Sequence, residues 1–161
     1  MKSLLPLMLV LTVLGAGCAS RPVAGASAAT VAGSAPTVAP LLKTLAGTRW
    51  KLVELDGAVA EPAVSGWPAQ TIEFEPNGLR ANGHAGVNRF GVRCDLDGGN
   101  LRFGPLAMTR RLGPSAQMEI ERRYTVVLSD VISWRQEGAN LVLVTPASLR
   151  AAVCAPLGKA E

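Results

Sequence analysis

Residues 71–103 read TIEFEPNGLRANGHAGVNRFGVRCDLDGGNLRF, and the spacing within them decides the fold. In 71–75, Ile72 and Phe74 alternate with Thr71, Glu73 and Glu75, the two-residue period of a strand with one buried face. Pro76-Asn77-Gly78 interrupts the alternation with residues that favour a tight reversal, so 79–84 is expected to run back beside it. Residues 92–96 put Val92, Cys94 and Leu96 on one face and Arg93 and Asp95 on the other. Asp97-Gly98-Gly99-Asn100 reads as a second turn, leading into a strand at 101–103. Connections of hairpin length make the stretch an antiparallel meander.

The same pattern extends outward. Upstream, 48–55 (TRWKLVEL) sets Trp50 and Leu52 between charged Arg49 and Lys51. Downstream, 106–109 predicts a short strand. Residues 132–136, 141–145 and 149–154 predict three more, the first two joined by a turn at 137–140. One helix stands among them, over 115–130: Ile120, Tyr124, Val127, Leu128 and Val131 recur on one helical face. Pro114 and Ser115 suit its start, and Glu119 can reach Arg122 or Arg123 one turn on. The prediction is an α+β domain: an antiparallel curved sheet or open barrel of about eight strands, with one helix packed on it or plugging it.

The beginning of the chain reads as an export signal. One positive charge at Lys2 precedes an uncharged run at 4–14 (LLPLMLVLTVL), followed by small residues and Cys18. A mature spanning helix needs about 20 apolar residues for a hydrocarbon core of roughly 30 Å, so the segment is read as a removed signal over 1–17. Leu14-Gly15-Ala16-Gly17-Cys18 resembles the bacterial lipobox, in which the cysteine sulfur receives a diacylglycerol. Leu14 stands one position farther from the cysteine than is usual there. On this reading Cys18 is lipidated and becomes the new N-terminus. The alternative is a plain signal cleaved near Ala16 or Ala19, which gives a soluble periplasmic protein. After Cys18, residues 19–40 are Ala, Ser, Gly, Pro, Thr and Val with one charge, Arg21, so 18–40 is read as the lipidated cysteine and a flexible tether. Extended, it reaches on the order of 70 Å at about 3.3 Å per residue. Ala19 is not the aspartate that retains lipoproteins at the inner membrane, which favours the outer membrane facing the periplasm. The compact domain then covers 41–157, and 158–161 is a tail.

Composition narrows the function. Sixteen Lys and Arg stand against 12 Asp and Glu, a net charge of +4. The arginines are dispersed apart from Arg110-Arg111 and Arg122-Arg123, with few aromatics between them, a poor match to nucleic acid. The single histidine, His84, lies in a glycine-rich stretch with no nucleophile-elbow pattern nearby, so no catalytic residue is assigned. One histidine and widely spaced cysteines make no metal site, and no cofactor motif is present. Glu73 and Glu75 share a strand face and read as a solvated edge. Cys94 and Cys154 are either a disulfide formed in an oxidising compartment or two separate buried thiols. Gly86, Asn88 and Phe90 are either a ligand or partner surface or a specified turn between strands. Arg110 and Arg111, with Arg122 and Arg123, are either a basic patch for lipid headgroups and acidic polymers or an ordinary solvated face. Trp67 is either an exposed contact or a lid on the core.

The order of these pieces resembles the META domain, the family of HslJ-like heat-shock lipoproteins. Leu45-Ala46-Gly47-Thr48-Arg49-Trp50-Lys51-Leu52 resembles its opening strand, and Thr71-Ile72-Glu73-Phe74 its second. Gly86-Val87-Asn88-Arg89-Phe90 stands where the family has Gly-Cys-Asn-Arg-Phe. Residues 97–103 resemble the next turn and strand. Thr109-Arg110-Arg111-Leu112-Gly113 stands where it has Thr, any residue, Met, Ala, Cys. Met118-Glu119-Ile120-Glu121 opens the helix, and Asn140-Leu141-Val142-Leu143 is the late strand. Both family cysteines are replaced, by Val87 and Gly113, and their joint loss is what a mutual pairing in the family implies. The resemblance implies a non-enzymatic, lipid-anchored envelope protein, a binding or scaffolding module linked to envelope stress or antibiotic tolerance. Its partners are then the membrane, through the anchor, and an envelope protein or small ligand. The chain is read as a monomer. Three rivals accompany this reading: a carrier of a small apolar ligand in a pocket lined by Trp50, Phe74, Tyr124 and Leu128; a hydrolase using His84; and an inhibitor of a periplasmic enzyme acting through the loop at 61–68.

Overall fold

The computed structural model describes residues 44–60 and 64–159. The signal at 1–17, Cys18, the tether to residue 40 and residues 61–63 of the loop lie outside the described residues.

Strands form where the sequence alternates. In β1 (Thr48–Leu55), Trp50, Leu52 and Leu55 are each 3 % exposed or less. The step from 52 to 55 breaks the two-residue period, and a register shift against the neighbouring strand falls between Leu52 and Glu54. Such a bulge bends a strand while keeping its apolar side chains on the inner face. β2 (Ala58–Val59) is a two-residue return on the end of β1. β3 (Thr71–Phe74) and β4 (Arg80–His84) make the expected hairpin. In its turn Gly78 has φ +71° and donates to the Glu75 carbonyl at 2.8 Å, while the Asn77 carboxamide oxygen accepts from Leu79 N at 2.9 Å. β5 (Arg89–Asp97) buries Phe90, Val92 and Cys94. One edge of it pairs with β4, the other with β6 (Asn100–Phe103) and the two-residue β7 (Ala107–Met108). After α1 (Ser115–Asp130), strands β8 (Ser133–Glu137), β9 (Asn140–Thr145) and β10 (Ser148–Lys159) follow as an antiparallel meander.

The strand order is β10-β9-β8-β6-β5-β4-β3-β1-β2, and β10 also pairs with β1. The strands therefore follow one another in a ring, with β2 and β7 as short attachments, and every pairing is antiparallel. This is the α+β curved sheet that the alternation predicts. The β6–β8 contact has one facing pair, Asn100 and Ser133. Leu101 N to Ile132 O at 3.2 Å, Trp134 N to Gly99 O at 2.9 Å and the Trp134 indole N–H to Gly98 O at 2.9 Å complete it.

The inner faces and the helix share one core. Phe74 stacks on Phe103 with centroids 6.2 Å apart, and Phe90 meets Tyr124 edge-on at 6.3 Å. Trp50, Phe74, Tyr124 and Leu128 are all buried within this packed cluster, which counts against an apolar ligand carried among them. The helix buries Gln117, Glu121, Tyr124, Val127 and Leu128, while Ile120 is only half-buried. Pro114, not Ser115, is its cap: the Pro114 carbonyl accepts from Met118 N at 3.0 Å, and no side chain caps the end.

The disulfide expectation fails. Cys94 and Cys154 are both free and buried. Cys94 lies on β5 and Cys154 on β10, with three strands between them in either direction around the ring. Neighbouring strands are about 4.8 Å apart, so residues on opposite walls are far beyond the roughly 7 Å Cα separation that a disulfide spans. Burial pushes each thiol up to about 12, helped at Cys94 by the nearby Glu75 carboxylate.

Candidate functional site

The β4–β5 connection is a tightly constrained turn. Ala85, Gly86, Val87 and Asn88 are all buried in it. Gly86 has φ +151°, and a Cβ there would sit 3.1 Å from the Gln117 carbonyl and 3.2 Å from the Glu121 Cβ. Glycine thus allows α1 to rest directly on the turn. From that helix Glu121, 7 % exposed, reaches into the turn. Its Oε2 accepts from Val87 N at 2.8 Å and Asn88 N at 2.6 Å, and its Oε1 from Asn88 Nδ2 at 2.8 Å. Burying a carboxyl group is costly unless donors surround it, and here two of the three are backbone amides that have no freedom to lose.

Asn88, 3 % exposed, passes the connection on. Its Oδ1 accepts from Thr109 Oγ1 at 2.9 Å and Arg111 N at 2.7 Å, and its Nδ2 also donates to Arg111 O at 3.1 Å. Thr109 Oγ1 accepts in turn from Arg89 N at 3.1 Å. One buried network therefore fixes three separate segments: 86–89, 109–111 and the first turns of α1.

Two surface depressions flank the segment 109–111. On the helix side a groove of about 450 Å³ has Leu106, Met108, Leu112 and Met118 as its apolar walls and Arg110 and Arg111 at its edge. On the other side a cleft of about 400 Å³ is lined by Trp67, Pro68, His84, Val87, Arg89 and Arg111 among others. His84 and Arg89 face each other across the β4–β5 ladder. Beyond them a smaller cleft of about 200 Å³ continues, where Arg49 is paired with Glu73 at 3.2 Å. Arg89 and Arg111 have no such partner among the described residues. Burial and the Arg89 guanidinium lower the His84 pKa. Its backbone N–H donates to Thr71 Oγ1 at 3.2 Å, while its buried Nδ1 has no partner among the described residues.

The residues singled out from the sequence separate into groups. Gly86 and Asn88 belong to the buried network, and Phe90 lies in the core against Tyr124. Arg110 and Arg111 are exposed at the rim. Arg122 and Arg123 do not join them: Arg122 pairs with Glu119 at 2.6 Å, and Arg123 with Asp56 at 3.0 Å. Trp67 is half-buried, with its ring 3.2 Å from where a Gly113 Cβ would be, so it covers the rim. Glu73 pairs with Arg49, and Glu75 lies 3.7 Å from Arg80. Sequence reasoning missed the role of Glu121. The signal was available, since Gln117, Glu121, Tyr124 and Leu128 share one helical face and a carboxylate in that stripe demands a buried partner. Among the described residues no three His, Cys, Asp or Glu side chains gather as a metal site, and no helix is long and apolar enough to cross a membrane.

A ring of antiparallel strands with one helix resting on a Gly-Val-Asn turn defines a class, and comparison with known proteins specifies it. The META domain family model matches residues 43–154, and the chain belongs to that family. The fold is similar to an NMR structure of a protein from Burkholderia xenovorans, with 26 % identity and a TM-score of 0.52, covering 68 % of this chain and 80 % of that one. A second NMR structure, 20 % identical, has the same fold at a TM-score of 0.54, with 68 % and 88 % covered. Comparison with curated proteins gives no match.

The two positions where the family has cysteines lie side by side. A Cβ on Gly113 would come 2.5 Å from one Val87 methyl and 3.0 Å from the other. Val87 fills the space that a second side chain would need, so the two replacements form a packed pair.

Proposed function

We propose that this META-domain protein is a non-enzymatic binding module of the cell envelope, anchored to the outer membrane through lipid on Cys18 and contacting its partner or ligand at the rim around Arg89 and Arg111. The observation that carries the reading is the Asn88–Glu121 network. It spends a buried carboxyl and a buried carboxamide on fixing the two backbone segments from which the rim arginines project. Rigid support of that kind under exposed cations that no described residue pairs suits recognition. The rival hydrolase reading gains little from His84, whose ring has no hydrogen bond to a hydroxyl, thiol or carboxylate among the described residues. An inhibitor acting through the loop at 61–68 is a second form of binding module, and Trp67 would then serve the same rim.

Two experiments test the reading. Intact mass of the protein recovered from membranes is expected to show a triacylated N-terminal Cys18; cleavage at another residue without lipid sinks the anchor. Cells carrying Arg89→Gln with Arg111→Gln are expected to lose the tolerance of envelope stress that the wild-type allele supports, at unchanged protein level. Full tolerance in that strain would refute the role of the rim.

A further inference from the structure

The cleft beside Trp67 has the chemistry of one kind of ligand. Arg89 comes from the start of β5 and Arg111 from the segment before α1, yet both line the same depression of about 400 Å³. Neither guanidinium is neutralised by a described residue, whereas in the adjoining smaller cleft Arg49 is held by Glu73. Two cations lining one depression repel each other, and an anion between them relieves that repulsion. Guanidinium forks match phosphate and carboxylate oxygens in pairs. His84 lines the same depression. Trp67, Pro68 and Val87 line it too, a surface that welcomes a flat or apolar body. The groove on the helix side also carries two arginines, Arg110 and Arg111, but no histidine or indole lines it, and the polar groups at its base, Asn88 and Glu121, are already bonded to each other.

Resting on the binding-module reading, we infer that the Trp67–His84–Arg89–Arg111 cleft binds an anionic group, phosphate or carboxylate, borne on a flat or apolar moiety. The anion sits between the two guanidinium groups and the moiety lies against the indole. A soluble small molecule and a phospholipid headgroup both supply this chemistry.

The test is an NMR titration of the full chain in neutral detergent with phenyl phosphate, inorganic phosphate and dihexanoyl phosphatidylglycerol. The chain has one histidine, so its imidazole gives a single set of signals that reports on the cleft directly. Phenyl phosphate is expected to bind saturably in the submillimolar range, shifting the His84 and Trp67 side-chain signals. Arg89→Gln and Arg111→Gln are each expected to weaken it by about tenfold or more, the loss of one charge-assisted fork. Trp67→Ala is expected to weaken phenyl phosphate while leaving inorganic phosphate unchanged. Tighter binding of the phosphatidylglycerol than of phenyl phosphate, with the same dependence on arginine, identifies the anion as a lipid headgroup; the reverse identifies a soluble ligand. Absence of saturable binding by all three probes overturns the inference, as does binding that is indifferent to both arginines. Because Arg89 and Arg111 are exposed, their variants keep the fold, checked by unchanged signals from Trp134. The titration does not depend on the anchor. A chain that binds anions but lacks lipid on Cys18 refutes only the anchoring, and a lipidated chain that binds none refutes only this inference.

Discussion

Asn88 shows how much one residue can settle. Its carboxamide uses both ends: Oδ1 accepts two bonds, and Nδ2 donates one to Glu121 and one to the Arg111 carbonyl. Asn88→Ala leaves Thr109 Oγ1 and Arg111 N without their acceptor and Glu121 Oε1 and Arg111 O without their donor, so the stability measured by denaturant unfolding is expected to fall by about 2–4 kcal/mol. The sequence left open whether Gly86, Asn88 and Phe90 were a surface or a turn, because turn chemistry and ligand chemistry use the same residue types. Which one applies depends on where Glu121 lies, and nothing local to the turn states that. Val87 and Gly113 make a separate prediction. Gly113→Ala forces a Cβ against the Val87 methyls and is expected to cost about 1–3 kcal/mol, most of it recovered in the double variant with Val87→Ala. Val87→Cys with Gly113→Cys is expected to form a disulfide in air, read as a loss of two thiols in intact mass. Two persisting free thiols there would contradict the juxtaposition.

At the scale of elements, alternation was legible where one face is buried and the other wet. It located β3, β4, β5 and β6 to within a few residues, and the apolar stripe located α1. Two things were hidden. β10 continues past Cys154 through Pro156 to Lys159, although proline argues against a strand interior. It is tolerated because the register against β1 slips between Arg49, opposite Gly158, and Trp50, opposite Pro156, which leaves Leu157 as a bulge. Alternation also assigns Cys94 and Cys154 to inner faces without saying which strands are neighbours, so a plausible disulfide proved to span the ring. Their environment sets a pH dependence. The thiols stay protonated in the folded chain up to about 12 but ionise near the ordinary value of 9.0 once unfolded. Between those values the folded state holds more protons, so this contribution to stability is complete below pH 9 and is lost as pH rises toward 12. Replacing both cysteines with alanine is expected to flatten the fall in stability above pH 9, measured by urea unfolding at stepped pH.

For the whole molecule, closure matters most. β1 pairs with β3 along Arg49–Lys51 and with β10 along its full length, which makes the β1–β10 seam the long join of the ring. On the outer surface Arg150 ties Glu54 on β1 to Glu137 on β8, and Arg135 bonds Glu137 and the Leu149 carbonyl, exposed pairs that each add little. Removing residues 155–159 strips Thr48–Lys51 of its β10 partners. At roughly 1 kcal/mol for each lost backbone bond, unfolding is expected to become easier by about 3 kcal/mol, with the rest of the ring intact by circular dichroism. The same closure leaves the rim, where connections and the helix end meet, as the place for the proposed recognition. The central claim, that this rim is an anion-binding site braced by the Asn88–Glu121 network, is tested most directly by amide hydrogen exchange at Val87 and Asn88 with and without saturating phenyl phosphate. Both amides are expected to exchange as slowly as those of β9 and to slow further when the ligand is bound. Exchange at the rate of an exposed loop, unchanged by the ligand, would contradict it.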